Sequence, residues 1–157
     1  MIIQPTLVIG CTGQDGSLIC KSLLEKGKKV IGVTRNNQEN ILNHVKLGIE
    51  KEVKIINGDI TNFKSIEKVI SEHDPENIFN LAAQSSVGKS VFHPIETIEG
   101  IVKGTLNILE VCRKTNYSGK VFFAGSSEMF GNTKFKAKVN HSQNPSSPYA
   151  IGKQCSF

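Results

Sequence analysis

Five short apolar runs recur along the chain with little polar alternation inside them: "TLVIG" (6–10), "KVIGVT" (29–34), "VKIING" (53–58), "NIFNLAA" (77–83) and "KVFFAGSS" (120–127). A strand with one face in water alternates apolar and polar residues, whereas a strand covered on both faces does not. Helical patterns separate the runs. "GSLICKSLLEKG" carries apolar residues at 18, 19, 23 and 24 and closes at Gly27. A second helix is expected from about Thr61, a good N-cap, to His73. A third opens at Pro94, which suits a first turn, and runs to about Thr115 with apolar positions 98, 101, 102, 106, 108, 109 and 111. "SPYAIGKQCSF" begins a further helix.

Buried strands alternating with helices predict an α/β fold: a doubly wound parallel sheet in three αβα layers, the Rossmann arrangement. In such folds the ligand lies at the carboxyl ends of the strands. Polar clusters fall there, after Gly10, after Thr34, at Asp59, after Leu81 and after Gly125.

"GCTGQDG" (10–16) joins the first strand to the first helix. Gly10 and Gly13 permit a tight turn and close approach to a pyrophosphate, Gly16 permits close helix packing, and the helix N-terminus favours an anion. The same letters also describe an ordinary glycine-rich turn; it is the strand–turn–helix context that favours phosphate. No Gly-Lys-Ser/Thr follows, so this is not a P-loop. Arg35 ends the second strand, where an acidic residue would suit NAD and an arginine would pair with the 2′-phosphate of NADP; otherwise it is a solvated surface arginine. Asp59 either accepts from an adenine amino group or caps the next helix.

Ser126 and Glu128 are two apart, so in extended chain they face one side; the alternative is a polar loop whose Ser and Glu cap a turn. Tyr149 and Lys153 are four apart, on one helical face. A free phenol holds its proton to about pH 10. A neighbouring ammonium favours phenolate and makes a tyrosine a usable acid or base near neutrality. A chance surface pair has the same spacing.

Net charge is +5, but the lysines are scattered, there is no Trp and there are only two Tyr, which argues against a nucleic-acid surface. Cys11, Cys20, Cys112 and Cys155 form no C-x-x-C pair and the four histidines are dispersed, so reduced thiols and no metal are expected. No apolar run approaches the ~18 residues that cross a membrane. "MIIQPTLVIGCTG" has no basic n-region and no cleavage site, which favours the cytoplasm.

Together these motifs resemble the extended short-chain dehydrogenase/reductase superfamily. Within it, "GCTGQDGS", "NLAAQSSVG", "SSEMFG" and "SPYAIGK" resemble, in order, segments of the GDP-mannose 4,6-dehydratase family, and the likeness runs over essentially the whole chain. The resemblance implies an enzyme, a lyase acting on GDP-mannose with NADP as a recycled hydride carrier. Tyr149, helped by Lys153 and Ser126, would take the proton of the sugar 4-hydroxyl while the C4 hydride goes to the cofactor. Glu128 would remove the C5 proton and assist loss of the 6-hydroxyl as water, giving GDP-4-keto-6-deoxymannose. The cofactor would touch Gly10, Thr12, Gly13, Gln14, Asp15, Gly16, Arg35, Asp59 and Ile60. Further on it would touch Leu81, Ala82, Ala83, Ser85, Tyr149 and Lys153.

Three positions depart from the family pattern. Asn36 stands where a second arginine is usual, Glu96 where a cofactor-contacting tyrosine is usual, and Gly152 lies inside the catalytic helix at a cost of roughly 1 kcal/mol relative to alanine. The family's chains continue past the lysine into a substrate-binding domain. The 157 residues are therefore expected to be an incomplete NADP-binding Rossmann domain that lacks the C-terminal domain and is inactive alone. A helix of ~10 residues is marginal by itself, so Tyr149 and Lys153 are expected to be poorly held. The fifth strand, left at the sheet edge, invites a homo-oligomer. Two other readings stay open: a sugar-nucleotide epimerase or reductase fragment, which needs no base at Glu128, and a dinucleotide-binding module without catalysis.

Overall fold

The computed structural model describes residues 4–35, 41–134 and 136–157; Asn36, named above, lies outside them. Five strands, β1 (Thr6–Ile9), β2 (Val30–Thr34), β3 (Lys54–Asn57), β4 (Asn77–Asn80) and β5 (Lys120–Phe123), form one parallel sheet. Their order is β3-β2-β1-β4-β5. The chain runs outward from β1 to β3, then returns to place β4 on the other side of β1. That reversal opens a crevice at the carboxyl ends of β1 and β4.

The three longest helices pack on the sheet: α1 (Gln14–Glu25), α3 (Phe63–His73) and α6 (Gly104–Lys114). β1 is buried at every residue, and its side chains divide between two cores. Leu7 and Ile9 pack with Ile66 and Ile70 of α3 and Ile108 and Val111 of α6. Val8 packs on the opposite face with Cys20 of α1, Ile49 and Val53. This two-sided burial is the physical reason the strand runs lack polar alternation.

Some boundaries differ from the sequence expectation. Asn62, not Thr61, caps α3, its side chain accepting from Ser65 N at 3.2 Å. Thr61 is otherwise engaged: its amide and hydroxyl both donate to Asp59 Oδ1, at 2.9 and 2.8 Å. The helix expected from Pro94 begins there but is not uniform. It comprises α5 (Pro94–Ile98), a π-turn (Glu99–Lys103) and α6. Within the π-turn the Ile101 carbonyl accepts from the hydroxyls of Thr105 (2.7 Å) and Ser156 (3.3 Å). Two short helices are not legible in the spacing. They are α2 (Leu42–Leu47), which has no side-chain cap, and α4 (Val87–Phe92), capped by Ser86.

The last helix, α7 (Pro148–Cys155), is better held than its length predicts. Ser147 caps it, accepting from Ala150 N at 3.1 Å. It packs against α4, α5 and the π-turn, burying Tyr149, Ala150 and Lys153. Tertiary burial thus supplies what a helix of this length lacks alone. Gly152 has a use here: a Cβ at that position would lie 3.3 Å from Ile101 Cβ. β5 is the sheet edge, as expected. Among the described residues no helix is long and apolar enough to cross a membrane.

Candidate functional site

A cleft of about 550 Å³ opens at the carboxyl ends of the strands. Gly10, Thr12 and Gly13 form one wall. Thr34 and Arg35 follow β2, and Gly58 to Thr61 follow β3. Leu81, Ala82, Ala83 and Gln84 follow β4, and Glu96, Glu99 and Gly100 close the far side.

The glycine loop is shaped by close approach. Gly10 has φ +85°, and a Cβ there would sit 2.8 Å from Ala82 N. Only glycine fits that meeting of β1 and β4 ends. Gly13 differs, being exposed, with a Cβ that would meet only Gly10 O, at 3.4 Å. It precedes α1 as an N-cap with no side-chain hydrogen bond, so the amides of the first turn are not claimed by a capping side chain. Ala83 holds φ +102°, a left-handed value that is strained for a residue with a Cβ.

Most of the residues expected at a cofactor line this cleft, including Arg35, Asp59, Ile60, Leu81, Ala82 and Ala83. Gln14, Asp15, Gly16 and Ser85 do not form its wall. Gln14 and Asp15 are exposed in the first turn of α1, Gly16 is buried against Gly10 and Cys11, and Ser85 is exposed beyond Gln84. Asp59 does not cap α3: its Oδ1 is engaged by Thr61, and the cap belongs to Asn62. Arg35 is exposed and has no ion pair among the described residues.

Ser126, Glu128, Tyr149 and Lys153 lie outside the cleft wall, on the turn after β5 and on α7. Ser126 and Glu128 are not two residues of an extended run. Ser127–Phe130 is a 3₁₀ turn, and Ser126 Oγ caps it, accepting from Glu128 N at 3.2 Å. The polar-loop reading thus accounts for their local geometry. α7 packs on this turn. Tyr149 and Lys153 are 9% and 7% exposed. Lys153 Nζ donates to the Ala124 carbonyl at 2.7 Å and lies 4.9 Å from the Phe123 ring centroid and 5.6 Å from that of Tyr149. Burial pushes the Lys153 ammonium below its ordinary pKa.

Sequence reasoning missed Gln84, Glu99 and Gly100 as cleft residues. Gln84 Nε2 donates to Thr97 Oγ1 at 3.2 Å, joining the β4 end to α5. Gln84 stands in the polar cluster after Leu81, and Glu99 and Gly100 lie three and four residues after Glu96, the spacing of one helical face. Among the described residues no cluster of His, Cys, Asp or Glu is arranged to hold a metal.

The model of the family described as GDP-mannose 4,6 dehydratase matches residues 7–157. The chain belongs to the GDP-mannose 4,6-dehydratase family. GDP-mannose 4,6 dehydratase 1 of Arabidopsis thaliana is 37% identical over 97% of this chain and 46% of its own length. The Homo sapiens GDP-mannose 4,6 dehydratase is 34% identical over 94% of this chain and 42% of its own. The chain thus spans under half the length of these dehydratases. Among solved structures, the UDP-glucose 4-epimerase of Thermus thermophilus, in complex with NAD, superposes with TM-score 0.84 at 29% identity, over 96% of this chain and 47% of that one. That of Thermotoga maritima, with UDP-glucose, gives TM-score 0.82 at 29% identity, over 95% of this chain and 47% of its own.

Proposed function

We propose that this chain is the cofactor-binding and proton-transferring part of a GDP-mannose 4,6-dehydratase, and that its cofactor is NADP. The observation that carries the reading is the buried Tyr149–Lys153 pair, tied through Ala124 to the end of β5, at the end of the sheet where the glycine cleft opens. The cleft suits a dinucleotide. The open face of Gly13 and the uncapped first turn of α1 favour a pyrophosphate, and Arg35, on the cleft wall, would pair with a 2′-phosphate.

The glycine loop and Arg35 would hold NADP, whose chemistry would be hydride transfer out of the sugar C4 and back to C6. The protein's own work is proton transfer. Tyr149 takes the 4-hydroxyl proton, with the Lys153 ammonium 5.6 Å from its ring centroid. Ser126 Oγ offers a hydrogen bond to the same oxygen. The ketone at C4 acidifies C5–H. Glu128 takes that proton and passes it to the departing 6-hydroxyl, which leaves as water; once the hydride is on C6, C5 regains a proton equivalent to the one Tyr149 took.

A cytoplasmic location and self-association belong to the same proposal. Association is supported by the β5 edge and by exposed Phe92, Ile95 and Leu106 on α4, α5 and α6; light scattering that finds only monomers refutes it. The decisive experiment is calorimetric titration of the chain with NADP(H) and NAD(H). Saturable binding with NADP(H) favoured is expected; no binding of either dinucleotide overturns the proposed function.

A further inference from the structure

Behind the glycine loop, α2 presents two consecutive side-chain donors, and neither lines the cleft. His44 is 0% exposed, and its Nε2 lies 2.8 Å from the Cys11 carbonyl oxygen. A carbonyl oxygen only accepts, so Nε2 carries a proton and donates it. Nδ1 is buried with no partner among the described residues. Asn43 Nδ2 donates to the next carbonyl, that of Thr12, at 3.0 Å. α2 itself rests on α1.

An idle buried nitrogen costs free energy. A leucine would fill the same space without it, so what the histidine adds is the donor. The donor has a directional effect. The peptide joining Cys11 to Thr12 is trans, like every peptide among the described residues, so its N–H points opposite to its C=O. With the Cys11 carbonyl held toward His44, the Thr12 N–H is aimed away from α2. That N–H has no partner among the described residues, and Thr12 lines the cleft. An anion site built from backbone needs this arrangement, with N–H groups forward and carbonyl oxygens turned back.

We propose that His44, assisted by Asn43, is a positioning residue that turns the Cys11 and Thr12 carbonyls away from the cleft and so aims the Thr12 amide at a phosphate of the bound dinucleotide. The inference rests on the dinucleotide reading above and extends it to residues that never touch the ligand.

The test compares wild type with His44→Leu, His44→Gln and Asn43→Ala by titration with NADPH, ADP and adenosine, and by hydrogen exchange of the ligand-free proteins. His44→Leu is expected to weaken NADPH and ADP about tenfold, the size of one well-placed hydrogen bond, and to leave adenosine binding unchanged. His44→Gln keeps an N–H at similar reach and is expected to restore affinity to within about twofold. Exchange over residues 10–13 should quicken in His44→Leu and return to the wild-type rate in His44→Gln. A purely structural role would weaken adenosine and ADP alike; that result, or unchanged affinity for all three ligands, overturns the inference. If His44→Leu does not fold, Asn43→Ala carries the same comparison, and unchanged ADP affinity there overturns it. If wild type binds no dinucleotide, the proposed function falls separately, and unchanged loop exchange in His44→Leu and Asn43→Ala overturns the link from α2 to the loop.

Discussion

Lys153 Nζ donates to the carbonyl oxygen of Ala124 across 2.7 Å, joining the α7 helix to the end of the edge strand β5. The bond fixes where the ammonium sits beneath Tyr149, and it holds a cation in a largely dry place. Lys153 has its pKa lowered by burial, so the native state releases its proton before the unfolded state does. Between the lowered value and the ordinary 10.5 the unfolded chain binds more protons, and this group's contribution to stability rises with pH. Across that alkaline window the stability of Lys153→Met, followed by urea unfolding, is expected to change less favourably with pH than that of wild type, because this contribution is lost. The same pH dependence in both proteins would contradict the assignment.

The buried thiols act in the opposite sense. Burial pushes Cys11 and Cys20 up to about 12, above the usual 9.0. The native state keeps these protons while the unfolded state loses them, so stability falls as pH rises through 9. In thiol labelling of the folded protein, exposed Cys155 is expected to react first, while Cys11 and Cys20 stay unlabelled until denaturant is added. Labelling of Cys11 at the rate of Cys155 would contradict the packing of the glycine loop.

Two loop glycines separate folding from binding. Gly10→Ala places a Cβ against Ala82 N at a left-handed φ, and is expected to cost about 2–3 kcal/mol in stability. Gly13→Ala adds a methyl at φ −67° with one ordinary contact. Its melting temperature should stay close to wild type while NADP(H) affinity falls at least tenfold. Equal loss of stability in the two variants would refute this division.

Cofactor choice is read at Arg35. Arg35→Ala is expected to reduce NADP(H) affinity about tenfold or more and to leave NAD(H) affinity little changed, since only NADP carries the phosphate that a guanidinium can pair with. Parallel losses for both cofactors would place Arg35 elsewhere in recognition.

Glu128 is tested with the chain joined to the C-terminal part of the Homo sapiens relative, because the chain spans 42% of that protein's length. The Ser126 cap uses the Glu128 amide, not its carboxylate, so Glu128→Gln keeps the turn. Turnover is expected to fall roughly 10²–10⁴-fold, the usual contribution of a general base, while bound NADPH accumulates and is seen by absorbance. Tyr149→Phe should give neither turnover nor NADPH. Normal turnover in Glu128→Gln removes Glu128 from the C5 step.

The strands, the glycine loop and the Tyr149–Lys153 pair are legible in the sequence because each leaves a local trace: two-sided burial, a turn that only glycine can make, and a four-residue spacing. α2 leaves none. Its six residues begin after Ile41 with no side-chain cap, and the partner of His44 is 33 residues back at Cys11. Of the two readings of Ser126 and Glu128, the turn-capping one holds, because two-residue spacing shares a face only in extended chain, whereas the Ser126 hydroxyl forms a cap and the chain bends after it. Glu99 and Gly100 share a helical face with Glu96, but the π-turn they open is not legible, because an added residue inside a helix looks like unbroken helix when read as letters.

That added residue also decides which changes of length this segment can accept. Each residue of an α-helix turns the chain by about 100°. The five residues of the Glu99–Lys103 π-turn let Glu96, Glu99 and Gly100 look into the cleft while Ile108 and Val111, on the same continuous helix, look into the core. Deleting one residue there would give a more regular helix and a worse protein, because the two faces would rotate out of agreement. The cleft wall and the sheet packing are therefore free to vary by substitution but locked together in register, and a single-codon deletion between Ile98 and Gly104 should be far less tolerated than one in the exposed loop before Ser147.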